Sequence, residues 1–183
     1  MHLRLLLLAA VPGVAVLAAC GPGTGVTQCS GEVQGKVTGT FSVCNELDQR
    51  YLQNLNEFSL TAAFTELPTS FVLNAEWQLR GEPDARDYTQ DLPNVECKIT
   101  VRKGTPQWLA RKGAGLPASG TCGLTLAAVE ANPQDGNVIT YKARGTMTAR
   151  LEGVPGTGAT EVVTLQMSFC QGDAAFCPPP PTP

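Results

Sequence analysis

Histidine is almost missing from this chain of 183 residues, occurring once, at His2. Imidazole is the usual general base near neutral pH and the commonest metal ligand. One copy at the extreme N-terminus leaves no Ser-His-Asp centre, no Cys-His centre and no His-ligated zinc site. No serine has a lysine three residues further on, so the Ser-Lys nucleophile spacing is missing as well. There is no Cys-x-x-Cys pair to hold a metal. A basic excess is lacking too: 13 Lys and Arg stand against 16 Asp and Glu, a net charge of −3. Nucleic-acid binding needs cations to neutralise phosphates, so no nucleic-acid partner is expected. No repeat at a fixed period is visible. No motif implies a cofactor or a catalytic residue.

What the chain does have begins at its first residue. A single Arg4 precedes an apolar run from Leu5 to Ala19, with small residues before its end. Spanning a bilayer takes about 20 apolar residues, and this shorter run is interrupted by Pro12 and Gly13. The layout is that of a secretory signal peptide. The run ends in Leu17-Ala18-Ala19-Cys20, which resembles the lipobox of bacterial lipoproteins. The resemblance covers residues 1–20 and is complete within them. It implies cleavage before Cys20, a diacylglyceryl thioether on its sulfur and acylation of the freed amine, with palmitate-type chains holding the protein on a membrane. Two or more acyl chains give stable anchoring. In enterobacterial sorting an Asp after the cysteine favours retention in the inner membrane. Gly21 stands there instead, so the expected address is the outer membrane.

The expected organisation follows. Residues 1–19 are a removed signal, 20–28 a lipidated tether, 29–177 one β-rich domain and 178–183 a Pro-rich tail. GPGTGVTQ, residues 21–28, is small and polar and reaches at most about 27 Å when extended. With Arg4 gone, 12 of the basic residues remain against 16 acidic ones, a net charge of −4. Setting Cys20 apart leaves Cys29, Cys44, Cys97, Cys122, Cys170 and Cys177. An even set in an exported chain reads as disulfides. Cys97–Cys122 is the expected first pair. The other four allow Cys29–Cys44 with Cys170–Cys177, or Cys44–Cys170 with Cys29–Cys177.

Alternation with a period of two dominates the domain. Val33, Val37, Phe41 and Val43 share one side of a first strand. Asn45 to Asn56 carries Leu47, Tyr51 and Leu55 at helical spacing, which predicts one short helix. Phe58 to Phe64 and Phe71 to Leu79 alternate as a hairpin, with Phe64 set opposite Phe71 and Phe58 opposite Trp77. Ile139 to Leu151 and Val163 to Phe169 repeat the pattern, with Ala149 opposite Val163. Val95, Cys97, Ile99 and Val101 alternate in one further strand and Cys122, Leu124, Leu126 and Ala128 in another, with Cys97 set opposite Cys122. The fold class expected is all-β: an antiparallel sandwich or up-and-down barrel of about seven to eight strands, stapled by disulfides.

Candidate sites are few. Glu82, Asp84, Asp87 and Asp91 share a loop whose oxygens suit calcium. Their spacing matches no EF-hand, which favours a solvated acidic loop and no metal. Asn132 to Asn137 is a turn by composition. Lys142, Arg144 and Arg150 face outward, near Arg102 and Lys103 in sequence terms only, as a stripe that lipopolysaccharide, peptidoglycan, an acidic partner or, more simply, a solvated strand face would explain. Phe58, Phe64, Phe71, Trp77, Tyr141 and Met147 would line the interior, as packed core or around one small apolar ligand. Trp108 falls between strands as an exposed contact or lid. Glu57 and Glu76 are the pair a histidine-free glycan hydrolase would need. The expected function is a membrane-anchored, non-enzymatic binding or structural module of the envelope. Its alternatives are a carrier of a small apolar ligand or lipid and, third, the carboxylate hydrolase. The expected partner is an envelope protein, lipid or glycan.

Overall fold

The computed structural model describes residues 25–65, 71–113, 115–132 and 138–177. The signal, Cys20, the Asn132–Asn137 turn beyond Asn132 and the Pro-rich tail lie outside them. Twelve strands occur among the described residues. They are β1 Val26–Gly35, β2 Gly39–Phe41, β3 Glu46–Leu52, β4 Glu57–Thr65, β5 Val72–Arg80 and β6 Asp87–Thr89. They continue as β7 Val95–Arg102, β8 Gln107–Gly113, β9 Leu116–Ser119, β10 Thr121–Asn132, β11 Val138–Gly153 and β12 Val162–Gly172. The all-β, antiparallel class therefore stands, with twelve strands in place of seven or eight. Several long alternating runs are each broken by a turn or accompanied by a short edge strand, which raises the number.

All twelve strands join one sheet. One half runs β2-β1-β12-β11 and continues through β10 to β6, and the other runs β3-β4-β5-β7-β8-β9. β11 belongs to both. At one end Val138–Thr140 pairs with β3, and at the other Glu152 and Gly153 pair with β8. The odd-numbered residues of β11 (Tyr141, Ala143, Met147, Ala149, Leu151) point into a core shared with Leu60, Leu73, Trp77 and Ile99 of the other half. Each fully buried side chain of this size contributes about 1.5–3 kcal/mol.

No helix occurs among the described residues. The segment expected to be helical is β3, paired with β4 from Glu46↔Ala63 to Leu52↔Glu57. A spacing of four residues fits a helix turn and is also twice the strand period, so Leu47 and Tyr51 share a strand face as readily as a helix face. Leu55, which would have completed the helical stripe, is 60% exposed in the following turn. Gln49, between Leu47 and Tyr51 on the inward face, is 2% exposed. Its polarity masks the alternation.

The expected first strand is two strands. Gly35, at φ +112°, turns the chain where a side chain would be strained. β2 then folds back on β1, with Gly31↔Phe41 and Val33↔Gly39. Val33, Val37 and Phe41 are buried as expected, but Val43 lies beyond the hairpin and is 61% exposed. β1 also starts inside the stretch expected to be tether: Val26, Thr27 and Gln28 pair with Gly172, Gln171 and Cys170. Their partners on β12 continue past Phe169, and pairing recruits them.

The hairpins expected from alternation form with a slipped register. Phe58 pairs with Leu79, Leu60 with Trp77 and Phe64 with Leu73. Ala149 pairs with Leu165 and Met147 with Met167. Both registers are displaced by two residues, which keeps every apolar side chain on its expected face.

Three disulfides staple the fold: Cys29–Cys44, Cys97–Cys122 and Cys170–Cys177. The alternative pairing of Cys44 with Cys170 and Cys29 with Cys177 does not occur. Cys97 and Cys122 are not ladder partners as expected. Cys97 sits between Trp77 and Lys112, and Cys122 pairs with Ala149. Their bond ties β7 of one half to β10 of the other. Cys170–Cys177 folds the last described turn back over the outside of β12, where Phe176 and Cys177 pack on Cys170, Val26 and Ala128.

Candidate binding trough

The outward side chains of β1, β12, β11 and β10 form a grid, because the four strands lie in register. One row reads Gln34, Thr164, Arg150, Thr121, and the next Glu32, Gln166, Thr148, Gly123. A third reads Ser30, Ser168, Thr146, Thr125, and a fourth Gln28, Cys170, Arg144, Ala128. Strands are about 4.8 Å apart and alternate residues about 6.7 Å apart along them. Hydroxyls and carboxamides therefore repeat at short intervals in two directions.

This surface is concave. A depression of about 380 Å³ covers the first two rows, and a second of about 330 Å³ covers the last two. They lie end to end along the strands as the two parts of a shallow trough, with no lining residue in common, and the second reaches Ala127 of β10 but neither Thr125 nor Ala128. Gly123 keeps the β10 side open, since a Cβ there would meet Thr148 Oγ1 at 2.9 Å. β6 forms the wall beyond β10, where the Thr125 hydroxyl donates to Asp87 Oδ1 at 2.6 Å. The fold-back of residues 173–177 closes the other end. Asp173 accepts from Lys142, and from the Phe176 N–H at 2.9 Å. The Lys142 hydrogen bond, with that backbone donor, holds the Asp173 carboxyl below its ordinary pKa. The same hydrogen bond raises the Lys142 ammonium.

The expected basic stripe is dispersed by these contacts. Lys142 is held by Asp173. The Arg144 guanidinium stacks 5.6 Å from the Phe176 ring and donates to the Phe176 carbonyl. Arg150 donates to Glu152 at 3.3 Å. Arg102 belongs to β7, opposite Val72 and Gln107, in the other half of the sheet.

The acidic loop does not converge either. Asp84 accepts from the Tyr88 hydroxyl and pairs with Arg86 at 2.9 Å. Burial raises the Tyr88 phenol. Asp87 is committed to Thr125, and no group of three His, Cys, Asp or Glu able to hold a metal ion occurs among the described residues. Trp108 is not a lid. It lies in β8, 2% exposed, with its indole N–H donating to the Thr160 carbonyl at 3.2 Å.

Glu57 and Glu76 occupy the opposite outer face. Glu57 pairs with Arg80, and Glu76 lies opposite Thr61, four residues along β4 from Glu57. That is about 13 Å along the strands, while glycosidase pairs need about 5–9.5 Å between carboxyls. In the interior, Phe58, Trp77 and Met147 interlock as core, with Phe58 edge-on to Tyr141 at 5.7 Å.

Charge and aromatic rings, the usual marks of a site in a sequence, do not reveal the trough. The signal was there as Ser, Thr and Gln at alternate positions in Ser30–Gln34, Thr121–Thr125, Thr146–Thr148 and Thr164–Ser168. The chain matches no family model, no curated protein and no solved structure.

Proposed function

We propose that this chain is a lipid-anchored, non-enzymatic binding module of a bacterial cell envelope, attached through Cys20 and presenting the outer trough of β1, β12, β11 and β10 to its partner. The Leu-Ala-Ala-Cys ending of the signal-like segment carries the anchor, and Gly21 favours the outer membrane. The concave polar trough carries the binding role. Three disulfides fit export to an oxidising compartment. We read the fold as a sandwich of two half-sheets that share β11.

The anchor reading gains a geometric consequence from β1. With pairing begun at Val26, only Gly21 to Gly25 separate the lipidated residue from the folded domain, a reach of at most about 18 Å. The domain would sit against the lipid surface on its β1–β12 end.

Intact mass of the membrane-extracted protein tests the anchor, first untreated and then after reduction and alkylation. A mass beginning at Cys20 with added acyl chains, and six thiols appearing only on reduction, is the expected result. A start elsewhere with an unmodified Cys20 would overturn the anchor. In-cell cross-linking from the trough tests the binding role. A reproducible envelope partner is expected from a reagent placed at Thr146, and its absence would remove the trough from the reading.

A further inference from the structure

We infer that the trough binds a neutral polysaccharide chain. This rests on the reading above, which makes the trough the binding face, and names the class of its ligand. The trough runs from Gln34 to Gln28 along β1, about 20 Å, the length of an extended oligomer and not of a single small molecule.

Its chemistry selects among polymers. Hydroxyls and carboxamides donate and accept hydrogen bonds alike, which is what a chain of hydroxyl groups requires. An anionic polymer would meet the Glu32 carboxylate, while the two nearby cations are engaged elsewhere: Arg150 by Glu152, and Arg144 by Phe176. An extended peptide binds a sheet by adding to its edge through backbone groups. Here β12 and β11 are paired on both sides through the trough, so they offer a peptide none.

The side chains are also suited to weak, repeated hydrogen bonding. Threonine is β-branched and stiff at χ1, so Thr146, Thr148 and Thr164 have little rotamer freedom left to lose on binding. The aromatic ring beside the grid, Phe176, is taken up by Arg144, so affinity comes from many modest contacts.

The test uses full-length protein in detergent, applied to an array of neutral oligosaccharides of glucose, galactose, mannose and N-acetylglucosamine, with heparin as the anionic comparison. Retention of at least one neutral class over heparin is expected. Thr148→Ala should weaken it about 3- to 10-fold, the worth of one hydrogen bond. Ser168→Arg, which fills the middle of the trough, should weaken it more than 10-fold. Lys98→Gln on the opposite face should leave it unchanged. Melting temperatures of all three variants identify any that fails to fold. Retention of heparin alone, retention of nothing, or binding indifferent to both trough variants overturns the inference. If the Thr146 cross-link still captures an envelope protein while no glycan binds, the trough remains the binding face and only the glycan assignment falls.

Discussion

Across β3, β4, β5, β7 and β8 one outward row reads Asp48, Thr61, Glu76, Lys98, Arg111. Across β1, β12, β11 and β10 a central row reads Glu32, Gln166, Thr148, Gly123. The first is a solvated strand face: opposite charges sit on neighbouring strands, Lys98 lies 3.7 Å from Glu76, and both are about half exposed. The second has one charge. Folding requires only that an outward face be polar, and both faces meet that requirement. The high strand preference of threonine explains part of the second face. It does not explain glutamine and serine alternating with threonine on the same strands. The proposed binding role of the second face rests on this difference.

The two halves also differ beneath their surfaces, and four measurements probe the contrast. The largest effect is expected at the bond joining them. Cys97→Ala with Cys122→Ala opens a 25-residue loop, and chain-entropy arguments give a loss of about 3 kcal/mol. Urea denaturation should show both halves losing stability in one transition. Separate transitions would mean that β11 does not couple them.

Next comes Gln49→Met. The Gln49 carboxamide is buried with neither polar atom paired, and two strands away the Trp77 indole nitrogen is unpaired as well. The corresponding inner row of the trough half, Met147 and Met167, is apolar. Removing the unpaired amide should raise stability by about 1 kcal/mol. A fall instead would show that Gln49 makes a contact that matters to the fold.

A smaller effect is expected on the charged face. Replacing Glu76 and Lys98 together by glutamine should change stability by less than about 1 kcal/mol, because exposed pairs contribute little. A loss well beyond that would contradict its description as merely solvated.

The smallest effect concerns the turn that closes the trough. Asp173 has its carboxyl held below the ordinary range by Lys142 and the Phe176 N–H. Its ionised form is the one favoured by folding. That contribution is complete above the ordinary carboxylate pKa and is lost as pH falls through the lowered value. Hydrogen exchange at the Phe176 and Cys177 amides, corrected for intrinsic rates, should accelerate in acid, and Asp173→Asn should abolish the pH dependence. Protection unchanged in acid would detach the turn from this carboxylate.

Much of the fold was legible because alternation reports which way a side chain faces. It predicted the buried residues of β4, β5, β11 and β12 correctly. It could not set the register, since a slip of two residues moves no side chain to the other face. Phe58 therefore meets Leu79 and not Trp77. β3 was hidden by an ambiguous spacing of four and by one buried glutamine. The β1–β2 hairpin was hidden because a turn after an even number of residues leaves the apolar parity intact. Cys97–Cys122 was the right pair for an incomplete reason: both cysteines face the core, and a shared core brings them together without a shared ladder. The trough is a property of four strands aligned in three dimensions, two of them more than 100 residues from β1, so no local stretch displays it.

The β1–β12 ladder begins at Val26↔Gly172, and both ends of the described chain leave from that side. Tension between those ends would open the ladder as a zip, one rung at a time, the weakest way to load a pair of strands. Two of the three disulfides sit where such a zip would need a stop. Gln28↔Cys170 and Cys29↔Phe169 are adjacent rungs, with Cys170 tied to Cys177 and Cys29 to Cys44. Force entering from the C-terminal end would pass from Cys177 straight to Cys170, and force from the N-terminal end would meet a covalent bond at Cys29 after the first three rungs. On the N-terminal side it would pass through Cys44 to the strands that follow. The unzipping would stall there, leaving most of the trough's grid intact, with the last turn bypassed by Cys170–Cys177 and free of load.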